Sequence, residues 1–176
     1  MTGAPIIRAA LDADLPNIAQ LQIASWQSAY RGMLPDAYLD GQILSDLEDK
    51  WQPPVLDQLI TLVATPPQGG ALTGFIACIP DGEKGPYIDN FHVDPQLKGQ
   101  GIGRCLFDAL VEALIAADHS TAWLTVIDRN SGARAAYARL GGQEEAPRTV
   151  TLYGQPIVDI PVHWPDLRRL NRGDRA

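Results

Sequence analysis

The stretch that decides the fold is NFHVDPQLKGQGIGRCLFDALVEALI, which spans Asn90–Ile115. It opens with a strand-like alternation of polar and apolar residues and closes with the apolar stripe of an amphipathic helix. Three glycines, Gly99, Gly101 and Gly103, separate the two patterns. Bare backbone at the start of a helix leaves N–H groups free, and the helix dipole adds positive charge there. The loop therefore predicts a phosphate or pyrophosphate site.

Two cations, Lys98 and Arg104, flank this loop and favour an anionic ligand. The P-loop pattern is absent, because no Gly-Lys-Ser/Thr occurs in the chain. The dinucleotide fingerprint G-x-G-x-x-G also fails, because its third glycine falls at Arg104 or Leu106. A nucleotide or dinucleotide ligand is therefore disfavoured.

Length and charge exclude other classes. The chain has 176 residues, which predicts a single domain over 1–176. Its 14 basic and 21 acidic residues give a net charge of −7, which disfavours a nucleic-acid partner. The N-terminus lacks the apolar core of a signal peptide, and no apolar run approaches the ~20 residues that cross a bilayer. We therefore expect no membrane partner and a cytoplasmic location.

The cysteines and histidines do not indicate a metal site. Cys78 and Cys105 lie in apolar contexts without CxxC spacing, which predicts buried thiols in a reducing compartment. His92, His119 and His163 are scattered without the spacing of zinc ligands, so we expect no bound metal.

The order of the segments predicts the fold class. Short turns join LITLVA, LTGFIACI and YIDNFHV, so these strands form an antiparallel meander, and a helix connects YIDNFHV to AWLTVI, so these two run parallel. TVTLYGQPIVDIPV predicts a closing hairpin around Gly154, and residues 165–176 are expected to form a flexible tail. The expected fold is α/β (α+β), with a mixed, mostly antiparallel central sheet of six to seven strands flanked by helices.

Two motifs resemble those of one family. Gln96-x-x-Gly99-x-Gly101 is similar to the Q/R-x-x-G-x-G/A motif of the GCN5-related N-acetyltransferase (GNAT) superfamily. The segment after AWLTVI resembles that family's N-x-x-A-x-x-x-Y-x-x-x-G pattern, and the matching positions here are Asn130, Ala133, Tyr137 and Gly141. The order of elements agrees with the family from about residue 6 to residue 162, and IASWQSAYRGMLPDAYLD resembles its substrate-side helices.

The resemblance implies that acetyl-CoA is the co-substrate, held in a V-shaped cleft where the sheet splays. It implies that the loop amides bind the pyrophosphate, that the preceding strand hydrogen-bonds the pantetheine arm through its main chain, and that Asn130 contacts the cofactor from the other side. The implied cofactor-binding residues are Phe91, His92, Val93, Lys98, Gly99, Gln100, Gly101, Ile102, Gly103, Arg104 and Asn130.

The resemblance also implies catalytic roles. Tyr137 would protonate the leaving thiolate, and the main-chain N–H near Val93 would stabilise the tetrahedral oxyanion. Asp89 and His92 are the candidate bases on the strand YIDNFHV, and strict alternation places them on opposite faces. Asn90 stands where family members often carry Glu, which leaves a water relay open. No Ser-His-Asp or Cys-His pattern appears, so we expect direct attack by the amine.

The acceptor pocket is predicted from aromatic residues. Trp26, Tyr30 and Tyr38 are the candidate substrate-binding residues, together with the hairpin near Tyr153. The sequence does not identify the acceptor, because a fold does not determine a substrate.

Two functions remain open at this stage. The first is an acetyl-CoA-dependent N-acetyltransferase that acts on a primary amine of a small molecule or peptide, and the resemblance also allows a homodimer. The alternative is a catalytically inactive acyl-CoA-binding sensor or partner module with the same fold. The tyrosine at its expected place, Tyr137, favours the enzyme.

Overall fold

A computed structural model describes residues 3–170 of the chain. Five α-helices are present in this range: α1 (Leu15–Ala29), α2 (Ile43–Lys50), α3 (Ile102–Ala116), α4 (Ser131–Arg139) and α5 (Leu167–Leu170). A π-helical turn at Tyr38–Gln42 leads into α2. The strands are β1 (Ile6–Ala9), β2 (Ile60–Thr65), β3 (Gly74–Ile79), β4 (Tyr87–Val93), β5 (Ala122–Ile127), β6 (Gln143–Glu144), β7 (Arg148–Leu152) and β8 (Gln155–Trp164).

The strands form one mixed sheet in the order β1-β2-β3-β4-β5-β8-β6, and β7 also pairs with β8. Every pairing is antiparallel except that of β4 with β5, as the connecting helix α3 requires. The expected fold class is confirmed. The sheet has eight strands rather than six to seven, because the two-residue strand β6 adds to the seven longer ones.

Helices cover both faces of this sheet. On the back face, the apolar stripe of α3 buries Leu106, Leu110 and Leu114 completely, in one core cluster with Ile76 and Leu124 of the sheet. Burial of each such side chain contributes about 1.5–3 kcal/mol, which explains why this amphipathic segment settles on the sheet.

The front face of the sheet carries α1 and α2. Leu15 and Ile18 of α1 pack with Phe75 of β3 and with Trp51, which follows α2. The Trp51 ring meets the Phe75 ring edge-on at a centroid distance of 5.4 Å. The N-terminal helices therefore form one wall beside β4, the strand that precedes the glycine loop.

Two expectations need correction. Residues 165–176 were expected to be a flexible tail, but α5 forms at Leu167–Leu170, and Leu167 is fully buried because it completes the core beneath α3. Its N–H donates to the Ser120 carbonyl at 2.8 Å. Residues 171–176 lie outside the described range. Cys78 is buried as expected, whereas Cys105 is only partly buried because it lies beside the glycine loop in the first turn of α3.

No helix within residues 3–170 is both long and apolar enough to span a membrane. The longest helices, α1 and α3, have 15 residues each.

Candidate active site

A cleft opens in the sheet between its two parallel strands. β4 and β5 share a single residue pair, Tyr87 with Trp123, whereas β4 stays paired with β3 as far as Val93. The two parallel strands therefore separate beyond Tyr87, and the gap belongs to a cleft of about 840 Å³. The V-shaped cleft expected for this fold is present.

The second half of β4 offers main-chain groups to this cleft. The N–H of Asp94 donates to the Thr73 carbonyl at 2.9 Å, on the β3 side of the strand. Backbone groups point alternately to the two edges of a strand, so the N–H and C=O of His92 also face β3. Those of Phe91 and Val93 face the opposite edge, where β5 has already diverged. Within residues 3–170, no strand pairs with this edge at Phe91 and Val93, so their peptide groups face the cleft.

The glycine loop lies at the mouth of the same cleft. The Asp94 carboxylate accepts the Gln96 N–H at 2.8 Å and so starts the short turn that leads into the loop. Gly99 and Gly101 both have φ of +81°, a left-handed conformation that favours glycine. A Cβ at either position has no atom within 4 Å, so the entrance is open.

The N–H groups of this loop remain available for a ligand. Among the residues that the structure describes, none accepts a hydrogen bond from the backbone N–H of residues 98–103. The first helical hydrogen bond of α3 runs from Cys105 N–H to the Gly101 carbonyl at 3.1 Å. A row of free donors at a helix N-terminus is suited to an anion.

Charge is distributed unevenly along the cleft. Lys98, Arg104 and Arg139 line it on the side of the loop and α4, and Arg104 also pairs with Asp108 at 2.9 Å. Asp89 is the only carboxylate among the described residues that line the cleft. One end is therefore suited to phosphates, and the other offers a single anionic group.

A β-bulge changes which face each β4 side chain occupies. Ala77 pairs with Asn90 and Cys78 pairs with Ile88, so Asp89 is an extra residue in β4. Strict alternation predicted that Asp89 and His92 lie on opposite faces, and this is wrong. Ile88, which precedes the inserted residue, packs in the back core. Asp89 lies on the front with Asn90 and His92, because the bulge inserts one residue into the alternation.

His92 lies close to Ser25 of α1, with its Nδ1 3.0 Å from the Ser25 Oγ. Burial, with Lys50 and Lys98 as nearby cations, lowers the pKa of His92 to about 3. The imidazole is therefore neutral at pH 7 and a poor proton acceptor. The sequence did not predict this Ser-His pair, but Ser25 is only 5% exposed and its partner is too weakly basic to activate it.

Asp89 is held by two donors. Lys50 Nζ lies 2.7 Å from Asp89 Oδ2, and the Asn90 side-chain amide donates to the same oxygen at 2.6 Å. Of the two bases predicted from sequence, Asp89 is the one whose chemistry remains compatible with that role.

Tyr137 and Asn130 occupy the wall formed by α4. The Tyr137 ring stacks on Phe91 at a centroid distance of 6.1 Å. Burial, together with the nearby hydroxyls of Tyr30 and Tyr87, raises the pKa of Tyr137 well above its usual range, so the phenol stays protonated. Asn130 caps α4, since its Oδ1 accepts the Ala133 N–H at 3.2 Å.

The predicted acceptor residues divide into two groups. Trp26 and Tyr30 line the cleft and meet edge-on at 5.1 Å. Tyr38 is not among the lining residues, because its ring stacks on Tyr153 at 3.9 Å and its hydroxyl donates to Asp46. Gln100 of the predicted cofactor loop is also absent from the lining.

Sequence reasoning missed several lining or supporting residues. A polar residue on the buried stripe of α1 was an available signal for one of them, Gln22, which is 1% exposed. The others carry no sequence signal of their own, because they reach the cleft only through tertiary packing: Ser25, Lys50, Tyr87, Thr125 and Arg139.

A sheet opened between two parallel strands, with a bare helix N-terminus at the opening, is the architecture of acyl-CoA-dependent N-acyltransferases. The family comparison agrees, since the sequence model described as "Acetyltransferase (GNAT) family" matches residues 23–142. The chain therefore belongs to the GNAT acetyltransferase family.

Relatives and solved structures extend this similarity over nearly the whole chain. The chain is 24% identical over 169 residues to the uncharacterized N-acetyltransferase YuaI of Bacillus subtilis, covering 93% of this chain and 95% of the relative. A GCN5-related N-acetyltransferase structure from Rhodopseudomonas palustris has a TM-score of 0.75 at 24% identity, covering 94% and 98%. The PaiA N-acetyltransferase from Thermoplasma acidophilum, solved with coenzyme A, has a TM-score of 0.74 at 18% identity, covering 89% and 98%.

Proposed function

We propose that this protein transfers the acetyl group of acetyl-CoA to a primary amine of a small molecule or peptide, by direct attack within a ternary complex. The observation that carries this proposal is the coincidence of two sets of free main-chain groups in one cleft. The loop N–H groups of residues 98–103 face its mouth, and the peptide groups of Phe91 and Val93 face its interior. A diphosphate joined to an amide-containing arm fits both sets.

Each part of the cofactor has matching groups in this cleft. The amides of residues 98–104 bind the pyrophosphate, with Lys98 and Arg104 adding positive charge. The main chain of Phe91 and Val93 pairs with the amides of the pantetheine arm in place of the diverged β5, and the His92 side chain lines the wall beside them. Asn130 contacts the cofactor from the α4 side. Coenzyme A in the PaiA structure supports this assignment through the shared fold.

The cleft also suits the chemistry of acetyl transfer. Attack of the nitrogen on the thioester carbon forms an oxyanion, and the Val93 N–H stabilises it, an interaction often worth ~3 kcal/mol. The nitrogen–carbon bond forms, the carbon–sulfur bond breaks, and Tyr137 gives its proton to the thiolate. An acceptor that arrives as an ammonium ion loses two protons in all. One is released after the attack and returns to Tyr137, and the other is lost before the attack and goes to the solvent.

The acceptor must lose that proton because it arrives as an ammonium ion. An alkyl amine with a pKa near that of lysine is neutral to only ~10⁻³ at pH 7, a penalty of roughly 4–5 kcal/mol. Asp89 is the carboxylate that faces this end of the cleft, and it takes the proton directly or through a water. Trp26 and Tyr30 form the nearby aromatic wall that contacts the acceptor. Direct attack agrees with the weakly basic His92, which leaves Ser25 unactivated.

The test follows free thiol release from acetyl-CoA with a panel of amines that includes amino acids, polyamines, aminoglycosides and peptide N-termini. Release that depends on one class of amine supports the enzyme. Binding of acetyl-CoA without turnover on any amine supports the alternative, an acyl-CoA sensor or partner module. Thermal stabilisation by ATP but not by acetyl-CoA contradicts both, because both require the coenzyme A site.

We further propose that the enzyme works in the cytoplasm, as a monomer or homodimer, without a nucleic-acid or membrane partner. The acidic net charge of −7 supports the absence of nucleic acid. Sedimentation of the purified protein with and without acetyl-CoA measures the oligomeric state.

A further inference from the structure

A buried chain of side-chain hydrogen bonds ends on the Asp89 carboxylate. Trp51 Nε1–H donates to Gln22 Oε1 at 2.6 Å, and Gln22 Nε2–H donates to Asn90 Oδ1 at 2.7 Å. Asn90 Nδ2–H donates to Asp89 Oδ2 at 2.6 Å, and Lys50 Nζ donates to the same oxygen at 2.7 Å. Every donor in the chain points toward Asp89.

The two amides of this hydrogen-bond chain, Gln22 and Asn90, are buried. Gln22 and Asn90 are 1% and 3% exposed, and a buried amide without a partner costs ~1–3 kcal/mol. Each amide uses its oxygen and its nitrogen within the chain, so turning either one breaks two hydrogen bonds. Their orientation is therefore determined by their neighbours, and so is the direction of the donor that reaches Asp89.

The chain also connects the β4 bulge to the front helices. Asp89 is the inserted residue of the bulge and Asn90 follows it. Gln22 lies on α1, and Lys50 is the last residue of α2. Bulges re-aim side chains, and their direction depends on what holds the extra residue. Here two helices hold it through side chains that do not otherwise enter the proposed chemistry.

The two carboxylate oxygens of Asp89 have different surroundings. Oδ2 accepts both donors described above, whereas no residue within 3–170 donates to Oδ1. Asp89 lines the cleft, so Oδ1 is the oxygen left for a ligand. An acceptor that arrives as an ammonium ion finds its one anionic partner there.

We propose that Gln22 and Lys50 are positioning residues that act through Asp89: they hold its Oδ2 so that Oδ1 receives the ammonium group of a cationic primary amine. This inference rests on the proposed function, because it needs an acceptor amine in the cleft. Neither residue touches acetyl-CoA in this scheme, so cofactor binding is independent of them. Amines that also carry a carboxylate bind poorly, because Asp89 repels that carboxylate.

A double-mutant cycle tests this role. Gln22→Met and Lys50→Met are each combined with Asp89→Asn, and kcat and KM are measured for the amine that the panel identifies. With Asp89 present, each single change is expected to lower kcat/KM for the amine about tenfold and leave the KM for acetyl-CoA unchanged. With Asp89→Asn in place, neither change lowers kcat/KM further. Equal losses in both backgrounds overturn the proposal, because they show a structural effect that does not pass through Asp89.

Control variants separate position from general damage. Gln20→Met changes an exposed glutamine on the same helix and is expected to retain the parental rate. Lys50→Arg keeps a cation and is expected to recover most of the rate lost in Lys50→Met. The Lys50 side chain is 35% exposed, so its variant carries the cycle even where Gln22→Met fails to fold.

A second readout does not depend on turnover. The side-chain amide signals of Gln22 and Asn90, followed by nitrogen-15 NMR, are expected to shift together in Lys50→Met and in Asp89→Asn. If these signals do not shift, the hydrogen-bond chain from Gln22 through Asn90 to Asp89 is absent. Shifted signals in a protein that binds acetyl-CoA but acetylates no amine support the chain and count against the proposed function, so the two failures are distinguishable.

Discussion

Replacing Gly101 by glutamate tests whether the loop binds a phosphate, and the glutamine variant is the matched neutral control. Gly101 has φ +81° at the N-cap of α3, and a Cβ there has no atom within 4 Å. Neither new side chain clashes, but each must adopt the left-handed backbone conformation, which lowers the unfolding free energy by about 1–2 kcal/mol. Without ligand, both variants are expected to lose roughly 2–8 °C in Tm, the glutamate variant somewhat less because its carboxylate faces the positive end of the α3 dipole.

Only the glutamate adds charge beside the proposed pyrophosphate. Two unit charges about 5 Å apart at an effective dielectric near 20 repel by roughly 3 kcal/mol, which weakens Kd by about 100-fold. Acetyl-CoA at 100 times the parental Kd stabilises the parent by about 2.7 kcal/mol, or roughly 5–11 °C. The same concentration is then about one Kd for the glutamate variant, so the ligand stabilises it by only ~0.4 kcal/mol and raises its Tm by ~1 °C.

The assay is thermal unfolding with and without acetyl-CoA, with calorimetric titration for Kd. Glutamine is expected to retain most of the parental rise, and higher salt is expected to narrow the difference between the two variants. Equal losses for glutamine and glutamate mean that conformation rather than charge is responsible. A glutamate variant with the full parental rise refutes the anion site.

The remaining predictions concern single side chains of the cleft. Tyr137→Phe is expected to lower kcat about 100-fold with the acetyl-CoA Tm rise retained, and an unchanged kcat removes the acid role. The folded pKa of His92 is about 3, below its unfolded value of about 6.5, so the stability that the neutral ring contributes falls as pH drops through that window. Between pH 6 and pH 5, the unfolding free energy measured by urea titration should therefore fall by on the order of 1 kcal/mol less in His92→Gln than in the parent. An equal fall in both proteins contradicts the low pKa of His92. Asn130→Ala should lower the unfolding free energy by about 1 kcal/mol because it removes a helix cap. Asn130→Ser should restore this stability but not the affinity for acetyl-CoA. If Asn130→Ser restores the affinity as well, Asn130 acts only as a helix cap.

Local patterns were sufficient to predict the sheet and the mouth of the cleft. Short turns specified the antiparallel meander, and the helix after the glycine loop specified the one parallel pair, which the structure confirms. The positive φ at Gly99 and Gly101 explains why glycine occupies these two positions. These features follow from chain connectivity and backbone sterics, which act over a few residues.

The bulge at Asp89 could not be predicted from the pattern of β4. An inserted residue leaves no local signature here, and strict alternation therefore misplaced Asp89 relative to His92. Tyr38 shows the same limit, because its contact with Tyr153 joins residues far apart in the chain. Contacts of this kind depend on how the helices settle on the sheet, which no single segment encodes.

The gap beside Phe91 and Val93 has a consequence for how this protein can diversify. Their peptide groups, which every non-proline residue carries, face the opening, whereas the Phe91 ring packs against the back core. A recognition surface made of main-chain groups tolerates substitutions at these positions as long as the backbone path of the strand does not change. Selection can then retune the front wall for a new acceptor without disturbing the opposite half of the site.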